Sequence, residues 1–223
     1  TSKEQDALQK LSVFHGGFRR EAAAEVAGAT IPVLASLVDK SLVRVLANGR
    51  YDFHPLLLQF AGEKLASNAA EKSLAEERHA RYFAVFFGAK RDSIPRSGQN
   101  DVTDLLADEL ANLEQMWHYL AQHRWLEDIA ALATATFLLH FNLGRLAEGA
   151  KLFVRVRASL EPSNPEHFFA LGSLCVREAG YLKYLASFRD AVAIAEEGLS
   201  YLRRSSHPEV WLKTITGLNE AGV

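Results

Sequence analysis

Asn48-Gly49 separates two short β-rich runs in a chain whose remaining pattern is helical. Leu42-Val43-Arg44-Val45-Leu46 precedes it and Tyr51-Asp52-Phe53 follows it. An Asn-Gly step between such runs is a strong two-residue hairpin signal, because both residues tolerate positive φ. Upstream, Leu8, Leu11 and Phe14 form a short helical stripe, and His15-Gly16-Gly17-Phe18 reads as a turn. Glu21 to Ala27 predicts a second helix, closed by Gly28. Thr30 caps a third, with Pro32 in its first turn and Ile31, Leu34, Leu37 and Val38 on one side. Leu56 to Ala66 makes a fourth. Three helices, a hairpin and a closing helix form a winged-helix pattern, assigned to residues 1–68.

The return strand runs into His54-Pro55. Pro55 opens the closing helix, so the join sets an imidazole at the positive end of a helix dipole, a place suited to phosphate. His54 is therefore the candidate ligand-facing residue. Its bland alternative is a polar strand end whose ring bonds to the backbone. Winged helices often bind DNA through the third helix. Here that helix, Ile31 to Lys40, carries one base, no Arg, and no Asn or Gln to read a base edge. Its free face is small and apolar, which suits packing on another protein domain. Arg44 and Arg50 on the wing read as solvated surface that could touch phosphates.

Residues 69–223 predict a run of helices, with 69–123 as linking helices. Breaks are expected near Pro95-Arg96-Ser97-Gly98, His123, Gly144, Pro162 to Pro165 and Ser205 to Pro208. Leu106, Leu110, Leu113, Trp117 and Leu120 trace one stripe. Trp125, Ile129, Ala133, Phe137 and Phe141 trace another, and Val192, Ala195, Leu199 and Leu202 a third. Glu178-Ala179-Gly180 recurs as Glu220-Ala221-Gly222, 42 positions later, and the Gly144-Arg145-Leu146 turn recurs near Ser187-Phe188-Arg189. Ala179, Ala191 and Gly198 fall at the small positions of a tetratricopeptide-like repeat, where paired helices approach closely. Such an array is expected to bind a partner or effector on its concave face. Lys151, Arg155 and Arg157 share one helix and read as a solvated face. Trp117, Trp125 and Trp211 read as core anchors.

A net charge of −2 gives no global bias toward nucleic acid or anionic membrane. No apolar run approaches membrane-spanning length, and the lone Cys175 fits a reducing, cytoplasmic setting as a buried thiol. No His-Glu-x-x-His, Cys-x-x-Cys or Gly-x-Ser-x-Gly segment occurs, and His118 and His123 are spaced poorly for a shared metal. An enzyme active site within this chain is not expected. The single Met is Met116, which leads us to expect a piece of a longer protein.

Three segments together carry a family resemblance. They are Leu11 to Phe18, Leu37-Val38-Asp39-Lys40-Ser41-Leu42-Val43, and Arg50 to His54 with Gln59-Phe60-Ala61 and Lys64-Leu65. Over roughly residues 8–66 the chain resembles the winged helix that follows the nucleotide-binding domain in bacterial signal-transduction ATPases with numerous domains. The resemblance implies a Met-His-Asp-like motif whose His contacts the nucleotide diphosphate. His54 falls on the His position, while Phe53 and Pro55 replace the Met and Asp. Asn112-Leu113-Glu114-Gln115-Met116-Trp117 is similar to the family's linking helix. The resemblance further implies an upstream nucleotide-binding domain as partner, with ADP or ATP and Mg as its ligands. This chain holds no Gly-x-x-x-x-Gly-Lys-Ser/Thr loop of its own. The expected fold is mainly α, a winged helix followed by an α-α superhelical, tetratricopeptide-like domain. The expected role is a regulatory or sensor fragment of a signalling ATPase. The alternative is a DNA-binding winged-helix regulator with a helical oligomerisation domain.

Overall fold

A computed structural model describes residues 1–96, 98 and 100–205. The fold is mainly helical. Tertiary packing divides the chain into two compact units. One comprises Thr1–Val85 and Asp108–Tyr119; the other comprises Phe86–Ala107 and Leu120–Val223. The first unit thus extends past residue 68 and takes in a stretch of the expected linking region.

The first unit begins with α1 (Ser2–Leu11), α2 (Arg20–Ala27) and α3 (Ile31–Asp39). Strands β1 (Val43–Val45) and β2 (Tyr51–Phe53) precede α4 (Pro55–Ala66). Most of α5 (Ala69–Gly88) and the first part of α7 (Leu110–His123) complete it. Gly28 ends α2 at φ 62°, and the next amide returns to Ala23 O at 3.1 Å. That six-to-one bond closes the last turn, and glycine adopts the left-handed conformation at no steric cost. Thr30 occupies the cap position of α3 but gives it no side-chain bond. Helix α1 stops at Leu11, so Phe14 joins the core from the turn that follows.

The hairpin differs from the two-residue reading. Leu46 N–H bonds Arg50 O at 2.8 Å, and Gly49 N–H bonds Leu46 O at 2.9 Å. Ala47 and Asn48 therefore occupy the centre of the turn, and Gly49 follows at φ 74°. Asn48 has no positive φ, which a two-residue primed turn would require. The loop has three residues, ending in the left-handed glycine of a bulge. Val43 faces Phe53, and Arg44 faces Asp52. Phe18 adds an isolated antiparallel bridge to β2, exchanging both backbone bonds with Tyr51 at 2.9 and 2.8 Å. A Cβ at Gly17 would stand 2.6 Å from Tyr51 O, so the chain approaches the strand here only as glycine. The core gathers Leu11, Phe14, Phe18, Val26, Leu37 and Phe53, with Phe83 of α5. Phe14 lies 5.0 Å from Phe18 and 6.1 Å from Phe83, ring to ring.

The second unit contains α6 (Asp101–Ala107), α8 (Leu126–Asn142), α9 (Leu146–Ala158), α10 (Phe168–Tyr184) and α11 (Phe188–Arg204). Helices α8 and α10 each span 17 residues and start at 126 and 168, a difference of 42. Helices α9 and α11 start at 146 and 188, again 42 apart. The closing bonds repeat the interval: Arg145 N–H reaches His140 O at 2.8 Å, and Ser187 N–H reaches Leu182 O at 2.9 Å. The array is thus a repeated helical hairpin of period 42. Twelve of the 17 residues of α10 are buried, because α8, α9 and α11 all pack on it. Gly198 permits the α10–α11 approach: a Cβ there would lie 2.8 Å from Cys175 Cβ. Trp117 is buried and Trp125 half-buried. Trp211, Pro208 and Glu220-Ala221-Gly222 lie outside the described residues.

Candidate functional site

His54 caps α4. Its backbone is extended, at φ −67° and ψ 135°, and Nδ1 accepts the Leu56 N–H at 3.3 Å. That bond occupies Nδ1, so the donor the exposed ring turns outward is Nε2. Pro55 carries no amide hydrogen, and the Leu57 and Leu58 amides both return to His54 O, at 2.9 and 3.0 Å. The start of α4 therefore presents an anion with no free backbone N–H. The expectation of a phosphate-binding helix end narrows to the imidazole itself. Behind it, Leu56 is 70% exposed and Phe60 51%. They stand one helical turn apart, so α4 shows an apolar stripe directly beside the histidine.

Of the two hairpin arginines, Arg44 is solvated as expected and Arg50 is not. Arg44 stays exposed but pairs with its cross-strand neighbour Asp52 at 2.7 Å. Arg50 is buried, 2% exposed, and pairs with the equally buried Glu109. Its other terminal nitrogen donates to Gly16 O at 2.9 Å. The charge is offset in place, which burial requires.

Asn112 sits at the centre of this buried network, all of it within the first unit. Its Nδ2 donates to Gly17 O at 3.0 Å and to Glu109 Oε2 at 2.7 Å. Its Oδ1 accepts from His15 N at 3.0 Å and lies 3.2 Å from His79 Nε2. With Oδ1 so committed, His79 must carry its proton on Nε2. Burial drives the His79 pKa down from 6.5 to about 4; the Asn112 bond opposes this and nearby His15 adds to it. Asn112 lies in the segment expected as a linking helix, and His15-Gly16-Gly17 in the expected turn. The only sequence signal of their meeting was an acid, Glu109, inside an otherwise apolar stripe. That stripe is in fact broken at Asp108-Glu109, between α6 and α7.

In the second unit Arg157 leaves its basic neighbours to hold buried Glu178, at 3.0 and 3.3 Å. Lys151 and Arg155 remain exposed. Cys175 is fully buried, and burial pushes its thiol up to about 12. Among the described residues no group of three His, Cys, Asp or Glu converges to hold a metal. Among the same residues, no single helix is long and apolar enough to cross a membrane. No protein-family model, curated protein or solved structure matches the chain.

Proposed function

We propose that the chain is the regulatory portion of a multidomain signalling ATPase of the cytoplasm. In this reading the first unit is a winged helix that packs on an upstream nucleotide-binding domain. The observation that carries it is the pairing of exposed His54 with the exposed stripe of Leu56 and Phe60. A histidine at the rim of an apolar docking face reaches a diphosphate only while the two domains are packed. ADP or ATP, with Mg, belongs to the neighbouring domain, which supplies the phosphate cradle; His54 supplies one N–H donor. ATP hydrolysis belongs to the whole protein and not to this chain. The second unit is a tetratricopeptide-like array that receives a protein or small effector, a reading supported by its 42-residue period.

Several contacts favour protein packing over duplex binding. The outer side of α3 is Ile31, Pro32, Ala35 and Asp39, all exposed. Lys40 pairs with Glu4 at 2.7 Å, Arg44 with Asp52, and Arg50 is buried. Few cations remain for phosphate contact.

The test is His54→Ala in the protein that includes its nucleotide-binding domain. ADP retention is expected to fall about tenfold or more, the worth of one charge-assisted hydrogen bond. Unchanged retention and unchanged basal activity would overturn the sensing role. Tight, steeply salt-dependent duplex binding by this chain would instead favour the DNA-binding alternative.

A further inference from the structure

The repeat places a partly sheltered cation where helices α8 and α10 lie side by side. Arg177 of α10 is half-buried, and its Nε donates to Thr134 Oγ1 of α8 at 3.1 Å. It forms no ion pair with any described residue, and its terminal nitrogens are not sealed from solvent. The other sheltered arginines differ: Arg50 holds Glu109, and Arg157 holds Glu178. Burial pulls the Arg177 guanidinium below its ordinary value, though it remains a cation.

The surroundings of Arg177 run in register. Thr134 meets Arg177, Phe137 stands 4.8 Å from Tyr181, and Phe141 stands 4.7 Å from Tyr184, ring to ring. Each pair is offset by 43 or 44 positions, so α8 and α10 run parallel. Phe137 and Phe141 are half-buried and Tyr184 is 45% exposed, forming an open aromatic strip. From Ile129 to Asn142 helix α8 carries no acid. On α10 the one acid is Glu178, already held by Arg157. Lys183 adds a second positive charge near the Tyr184 ring, 5.7 Å from its centre.

We propose that the α8–α10 strip binds an acidic peptide segment of a partner protein, with a carboxylate seated on Arg177 and apolar side chains laid along Phe137, Phe141 and Tyr184. A guanidinium lacking a carboxylate can take one through two parallel N–H bonds. The strip is open and continues to exposed Leu185 and Phe188, which suits an extended peptide. The inference deepens the partner-binding reading of the second unit and rests on it.

Two labelled peptide pools test it against the 223-residue protein. One carries an Asp-Glu pair flanked by Phe and Leu; the other has the same frame with Asn-Gln. The acidic pool should bind about tenfold more tightly, and Arg177→Gln should abolish that preference. Tyr184→Glu, at a surface position, should weaken the acidic pool even if Arg177→Gln disturbs folding. Equal binding of both pools overturns the acidic ligand while leaving a partner-binding repeat standing. Binding of neither pool, or undiminished acidic binding by Tyr184→Glu, overturns the docking strip. None of these outcomes touches the His54 test.

Discussion

Arg50, directly after the hairpin loop, and Glu109, just ahead of α7, form a buried ion pair between residues 59 positions apart. Both side chains are 2% exposed, so neither charge has an alternative partner in water. Removing Glu109 leaves Arg50 without an acid in a poor dielectric, and removing Arg50 leaves Glu109 only the longer Arg19 contact at 3.6 Å. Arg50→Met and Glu109→Gln should each destabilise the first unit by roughly 3–5 kcal/mol. The double variant Arg50→Met/Glu109→Gln should cost less than the sum of the two. A double-mutant cycle read by urea denaturation checks this.

His79 makes stability fall with acid. Its folded pKa is about 4 against an ordinary 6.5, so the unfolded chain takes up the proton first. The stabilisation is fully present above pH 6.5 and is lost as pH falls toward 4. The interval corresponds to roughly 3 kcal/mol at most. Denaturation midpoints measured from pH 7 to 4 should show this slope, and His79→Phe should flatten it.

Gly198 and Gly62 both lie inside helices but should respond oppositely. A Cβ at Gly198 meets Cys175 Cβ at 2.8 Å, so Gly198→Val should cost about 1–3 kcal/mol through overpacking. At Gly62 the nearest atom is Ser12 Oγ at 3.8 Å. Gly62→Ala should stabilise α4 by about 0.5–1 kcal/mol by removing backbone freedom. Thermal melts of the two variants decide the contrast.

His54 is exposed, and its one hydrogen bond caps α4. His54→Ala should therefore change the stability of this chain by no more than about 1 kcal/mol. Helicity and melting temperature check this, and a small change keeps the nucleotide-retention test free of folding artefacts.

Cys175 is closed to solvent, with its pKa raised to about 12 by burial. Its reaction with a thiol reagent should follow unfolding of the second unit and accelerate with urea. Rapid labelling of the native protein would contradict the packing of α10.

His54 was only partly legible in the sequence. Its position at a strand-to-helix join was legible, because Pro55 and the apolar run after it are local signals. Its capping bond was not, since that depends on the rotamer adopted. Asn48-Gly49 marked the hairpin correctly, yet the turn centred one residue earlier. A single glycine at positive φ is enough for a bulged three-residue loop, and Asn48 was spared that conformation.

The sequence by itself determined the helical character, the hairpin, the Gly28 stop and a repeat near 42 residues. These arise from periodicity and from backbone preferences acting within a few residues. Tertiary structure alone decided that Arg50 is core and Arg44 surface, and that Asn112 joins Gly17, His15 and His79. A charged or amide side chain reads the same whether water or a distant partner satisfies it. Only packing across dozens of positions settles which one does.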